Sequence, residues 1–184
     1  MFSRRAAWRI AAGHPLSEKY KTLRGSSVHH ITRGYIQMES RNSTPPQAGH
    51  YGGYTSLTPH IVVSPAHEAL EFYVLTFGAE VLSLTAVADR VLHALLDFGQ
   101  GKLTLSDPGS GSGLLPPDEN GRAVYSLAVY VPNVDEAISA ALEGGAEMLD
   151  PIENYVSGDR LGSIIDPFGV HWSILTRIED LFLA

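Results

Sequence analysis

The sequence contains no cysteine. That excludes disulfides, a thiolate nucleophile and any cysteine-based metal site, and it suits a reducing compartment, so a cytoplasmic location is expected. No apolar run approaches the ~18 residues of a membrane-spanning helix, and no membrane partner is expected. Basic residues are scarce after residue 38. Residues 39–184 carry six Lys/Arg against nineteen Asp/Glu, whereas residues 1–38 carry seven against one, within a net charge of −7. An acidic body repels phosphate backbones, so no nucleic-acid partner is expected either. Nucleotide cradles are missing as well, with no Gly-x-Gly-x-x-Gly after a strand and no P-loop, and so is the zinc-binding His-Glu-x-x-His. "GSGSG" at 109–113 has no Lys-Ser/Thr after it and reads as a flexible tether.

The basic segment at the start admits three readings. It is upstream sequence with translation beginning at Met38 in "YIQMES", or a basic arm, or a targeting peptide that is Arg-rich and acid-poor. Arg9 interrupts "AAWRIAAG", so a secretory h-region is absent. "NSTPPQAGHYGGYTS", residues 42–56, is a run of turn formers. Residues 1–55 are therefore expected to be a flexible leader and linker.

The remainder of the chain carries one pattern twice. "DRVLHALLDFG" at 89–99 returns as "DRLGSIIDPFG" at 159–169, and "GAE" occurs at 78–80 and 145–147. "LTPHIVVS" reads as a strand, "AHEALEFYVLTFGAE" as a helix ending at Gly78, and "VLSLTAV", "RVLHALLDF" and "KLTLSD" as three strands. After the Gly/Ser/Pro-rich linker the pattern restarts. "VYSLAVYV" is a strand and "VDEAISAALEGGAEML" a helix. "PIENYVSG" holds a further short strand, and "RLGSIIDPF" and "VHWSILTRI" complete the set. The expected fold is α+β: a first βαβββ unit over 56–108, a linker over 109–122 and a second unit over 123–184. A unit that cannot bury its own sheet face packs against its copy. Two curled mixed sheets packed in this way enclose a cleft suited to a small ligand.

This organisation resembles the vicinal oxygen chelate superfamily, which includes glyoxalase I, bleomycin-resistance proteins and extradiol dioxygenases, and within it the PhnB-like branch. "LTPHIVV", where that branch usually reads Thr-Pro-Tyr, "EALEFYVLTFGAE", "LHALLDFGQGKLTLSDP" and "GDRLGSIIDPFGVHWSILT" carry the resemblance over about residues 56–178. It implies a homodimer and, in the metalloenzymes, a divalent ion held by His, Glu or Gln on the first and fourth strands of each unit. Carried onto this chain, those four positions fall on or near His60, Thr104, Ser126 and Ser173. One imidazole and three hydroxyls are too weak a donor set for zinc, nickel or iron. No metal or other cofactor is therefore expected.

The residues expected to line a ligand cleft are His60, Val62, His93, Thr104, Ser126, His171 and Ser173. His60 and Val62 share a strand face. His93 stands in "LHALL", where the branch often has His-Ala-Glu-Leu, so Leu95 removes a carboxylate partner. His171 shares parity with Ser173, and His60, His93 and His171 form an alternative three-imidazole zinc set. "DPFG" at 166–169 reads as a turn, Trp172, Phe72 and Tyr73 as packing, and Asp159–Arg160 as a surface ion pair or cleft rim. The expected function is binding of a small organic molecule in a metal-free cleft. The acidic body suggests a cationic ligand. The rivals are a metal-dependent isomerase, lyase or transferase built on His60, and a metal-free acid–base enzyme using His60 or His93.

Overall fold

The computed structural model describes residues 54–109, 113–118 and 123–178 in full and, as backbone, strands at 26–32 and 35–40. The strands are β1 (Ser26–Thr32), β2 (Tyr35–Ser40), β3 (His60–Val62), β4 (Glu80–Val87), β5 (Arg90–Asp97), β6 (Lys102–Ser106), β7 (Leu127–Tyr130), β8 (Glu147–Asn154), β9 (Asp159–Ile165) and β10 (His171–Arg177). Helix α1 (Ala66–Phe77) follows β3, and α2 (Val134–Glu143) follows β7.

The repetition in the sequence is a repetition in space. In the first unit the strands lie in the order β3-β6-β5-β4, and in the second β7-β10-β9-β8. In each, the first strand runs parallel to the fourth and the other pairings are antiparallel. Each unit is thus βαβββ, as the sequence pattern predicts.

The sequence pattern predicts no element before residue 57, yet β1 and β2 form an antiparallel pair, and β2 pairs with β4 from Tyr35↔Val87 to Glu39↔Ser83. The first sheet is thereby extended to six strands. Leader residues 1–25 and linker residues 41–53 lie outside the described residues.

Both helices cover one face of their sheets, and the core lies beneath them. Leu70, Tyr73, Ile61, Val63, Leu96 and Leu105 are buried in the first unit, Ile138, Ala141, Ile164 and Ile174 in the second. The first backbone amide of α1, at Ala66, donates to the Asp107 carboxylate at the end of β6 (3.0 Å), because Pro65 at the cap position offers no side-chain acceptor. Asn133 caps α2 by accepting from the amides of Asp135 and Glu136. Gly78, with φ of 68°, closes α1 in the left-handed conformation glycine adopts cheaply.

The units meet through aromatic rings. Tyr73 and Phe77 of α1 lie edge-on or tilted against Trp172 of β10, at centroid separations of 5.3 and 4.8 Å. Phe168, from the turn before β10, lies 6.1 Å from Phe72. A Cβ at Gly144 would come within 2.7 Å of the Phe72 ring, so the end of α2 must be bare for the helices to approach.

Candidate functional site

In the first sheet, strand alternation puts two rows of side chains on the face away from α1. His60 is in register with Thr104, Thr104 with Leu95, and Leu95 with Ser83. Val62 is in register with Ser106, and His93 with Thr85. His60 and His93 are half-buried, and their rings are nearly parallel (10°) with centroids 6.3 Å apart. Tyr54, six residues before β3, brings its hydroxyl to within 3.2 Å of His93 Nε2.

The hydrogen bonds fix the form of His60. The Thr104 hydroxyl donates to the Pro59 carbonyl (3.1 Å), so its oxygen is left to accept from His60 Nδ1–H at 2.9 Å. His60 Nε2 then carries the lone pair, and Ser106 Oγ stands 3.3 Å from it. Burial lowers the pKa of His60; burial, and then the neighbouring His60, lower that of His93. Both imidazoles are thereby held neutral at physiological pH.

The expected site residues divide between the sheets. His60, Val62, His93 and Thr104 are together. Ser126, exposed just before β7, Ser173 and His171 belong to the second sheet. Ser173 is in register with Ala128 and Ser163, and His171 with Ile165. The three-imidazole zinc set is not formed: among the described residues no three of His, Cys, Asp and Glu are grouped to hold a metal ion. His171 shares a sheet with neither of the other two.

The family's metal positions fall where the repeat puts them, on or just before the first and fourth strands of each unit. The donors do not fit a divalent ion: His60 has both ring nitrogens turned to hydroxyls, and a neutral hydroxyl is a weak ligand beside imidazole or carboxylate. Asp159 and Arg160 are not partners. Arg160 forms a two-pronged contact with Asp135 (2.7 and 2.8 Å), and Asp159 accepts from Arg177 at 3.2 Å. A shallow depression at the β4–β5 turn is lined by Ser64, Val87, Ala88, Asp89, Arg90, Asp107 and Pro108. Its chief polar groups serve the fold: Arg90 donates to the Pro108 carbonyl, and Asp107 accepts from the amides of Ala66 and Val91.

Tyr54 and Ser106 were not expected at the site. Ser106 is two residues after Thr104 on the same strand, so alternation alone could have found it. Tyr54 sits among turn formers and carries no such signal.

The repeat and the strand order define a protein built from paired βαβββ units. The sequence profile of the Glyoxalase/Bleomycin resistance protein/Dioxygenase superfamily matches residues 47–174, and the chain belongs to that superfamily. It is 33% identical over 130 residues to an uncharacterized protein of Mycobacterium bovis, Mb0911c, covering 68% of this chain and 86% of that one. In fold it is similar to protein PA1353 from Pseudomonas aeruginosa, with a TM-score of 0.54, 20% identity, and coverage of 67% and 98% of the two chains. A PhnB protein from Bacillus cereus gives a TM-score of 0.50 at 19% identity, with 66% and 99% covered.

Proposed function

We propose that this is a PhnB-like member of the superfamily that binds a small organic molecule, without a metal, against the face carrying His60 and His93. The observation that supports this most is the state of His60. Its Nδ1–H is given to Thr104 and its Nε2 faces Ser106, while the other three family metal positions hold hydroxyls. The result is a half-buried, uncharged, hydrogen-bonding surface, which suits recognition of a ligand better than polarisation of an oxygen by a cation. In this reading the protein is a cytoplasmic homodimer. The second sheet supports the dimer, because its face away from α2 leaves Tyr130 59% exposed, and β8 at its edge leaves Met148 and Leu149 about 41–43% exposed.

A broad small-molecule screen read by thermal shift tests the binding reading. A true ligand raises the midpoint in proportion to ln(1 + [L]/Kd), and the effect disappears in His93→Phe. A screen in which no compound raises the midpoint, or in which His93→Phe keeps every shift, contradicts it. A metal-free acid–base activity of the same imidazoles is the second reading, favoured by the contact between the Tyr54 hydroxyl and His93. It requires turnover that survives EDTA and falls in His93→Phe.

A further inference from the structure

We infer that the Tyr54–His93–His60 face selects an uncharged, planar ligand offering both a hydrogen-bond donor and an acceptor, and rejects cations and anions of the same size. The inference rests on the binding reading above and sharpens it to a chemical class, in place of the cationic ligand suggested by the acidic body.

Charge is the first ground. The register neighbours of the two imidazoles on this face are Val62, Ser83, Thr85, Leu95, Thr104 and Ser106, all uncharged. Two residues on from Leu95, Asp97 shares the face's parity, but it is locked to Lys102 at 2.7 Å. Glu80 is in register with Asp97, and Glu39 of β2 with Ser83, but among the described residues no carboxylate or ammonium is in register with either imidazole to compensate a charged guest. Taking an ion out of water without a partner is costly, and a weakly bound small molecule cannot recover that cost. Part of the surplus of acids over bases is carried by the second sheet, at exposed Glu147, Asp150 and Glu153 of β8.

Shape is the second ground. Two imidazole planes lie within 10° of each other, and the Tyr54 ring stands 6.3 Å from His93 at 45°. Three flat π-surfaces on one patch favour a flat guest, through offset or edge-on contact. Hydrogen-bonding capacity is the third. His60 spends both ring nitrogens on Thr104 and Ser106, whereas His93 engages Tyr54 through Nε2 alone among the described residues. A neutral imidazole and a phenol hydroxyl together offer donors and acceptors, and a ligand carrying both kinds of group satisfies them.

Three isosteric probes separate the cases: benzamide (neutral), benzoate (anion) and benzamidinium (cation). Binding is read at neutral pH from the imidazole C–H resonances of His60 and His93. Benzamide is expected to perturb both signals and to bind at least about tenfold more tightly than either ion, a gap of about 1.4 kcal/mol. Tyr54→Phe and His93→Phe are each expected to remove that preference. If His93→Phe does not fold, Tyr54→Phe carries the comparison, because it keeps the ring and lies outside the strands. Benzoate or benzamidinium binding at these imidazoles as tightly as benzamide overturns the class while leaving the cleft reading intact. Failure of all three to move either imidazole also overturns it, while the cleft reading stands or falls separately on the thermal-shift screen.

Discussion

Tyr73 on α1 donates a 2.7 Å hydrogen bond to Asp166, ninety-three residues away in the turn between β9 and β10. The same carboxylate oxygen accepts from Trp172 Nε1 at 2.9 Å, and the other oxygen accepts from the amides of Phe168 and Val170. One buried acid therefore holds its own turn closed, fixes the Trp172 ring and ties the helix of the first unit to the second. Four donors converge on it, so its removal strands several buried polar groups at once.

Tyr73→Phe is expected to lower unfolding free energy by about 1.5–3 kcal/mol, the range for a hydrogen bond to a charged group. Asp166→Ala should cost more, about 3–5 kcal/mol, since two backbone amides and the indole N–H also lose their acceptor. Urea unfolding of both single variants and the double variant checks this. A coupling energy well above zero is expected, and additive losses would show that the contact contributes little.

Burial raises the pKa of Asp166, although its four hydrogen bonds pull the other way. A folded pKa above the unfolded one gives stability that is present below the ordinary carboxylate pKa and lost as pH rises through the folded value. Asp166 therefore resists acid unfolding instead of driving it. The imidazoles behave oppositely. Their folded pKa values lie below 6.5, so the unfolded chain takes up protons first, and stability falls as pH drops from neutral through their lowered values. The urea midpoint should fall between neutral pH and about pH 5, and the fall should be shallower in His60→Gln/His93→Phe. An equal fall in that variant assigns the acid sensitivity to other groups.

Gly162 in β9 is pressed by the second unit's core. A Cβ there would meet Ile138 Cδ1 at 2.6 Å and Ile152 Cγ1 at 3.0 Å. Gly162→Ala should destabilise by about 1–3 kcal/mol through overpacking, measured as a lower urea midpoint. Adding Ile138→Val should recover part of the loss, and no recovery would locate the strain elsewhere.

Strand β2 lies along Ser83–Val87 of β4. Deleting residues 1–50 removes it, and the β4 amides that face it become an open edge. Hydrogen exchange should then speed up at alternate amides of Ser83–Val87 while β5 and β6 stay protected. Unchanged exchange in β4 would mean that β2 does not pair there in solution.

The βαβββ repeat was legible because it is local. Alternation marks the strands, Gly78 and Gly144–Gly145 mark the helix ends, and each unit repeats the same short turns. The hairpin at 26–40 was not legible, because "SSVHHIT" and "YIQMES" sit in a basic stretch bordered by turn formers. Half of the candidate site was readable. His60, Thr104 and His93 follow from strand parity, but which sheet His171 joins, and that Tyr54 folds back onto His93, depend on tertiary placement. Asp166 looked like a turn residue and is one. Its bond to Tyr73 joins segments so distant that neither carries a mark of the other.

The binding proposal stands on the four strand positions used for metal in the superfamily being too poor in donors to hold an ion in this chain. Elemental analysis of protein purified without chelator puts that to the test. The prediction is a divalent metal content far below one ion per chain, unchanged in His60→Ala. A stoichiometric zinc, nickel, manganese or iron ion that is lost in His60→Ala would contradict it.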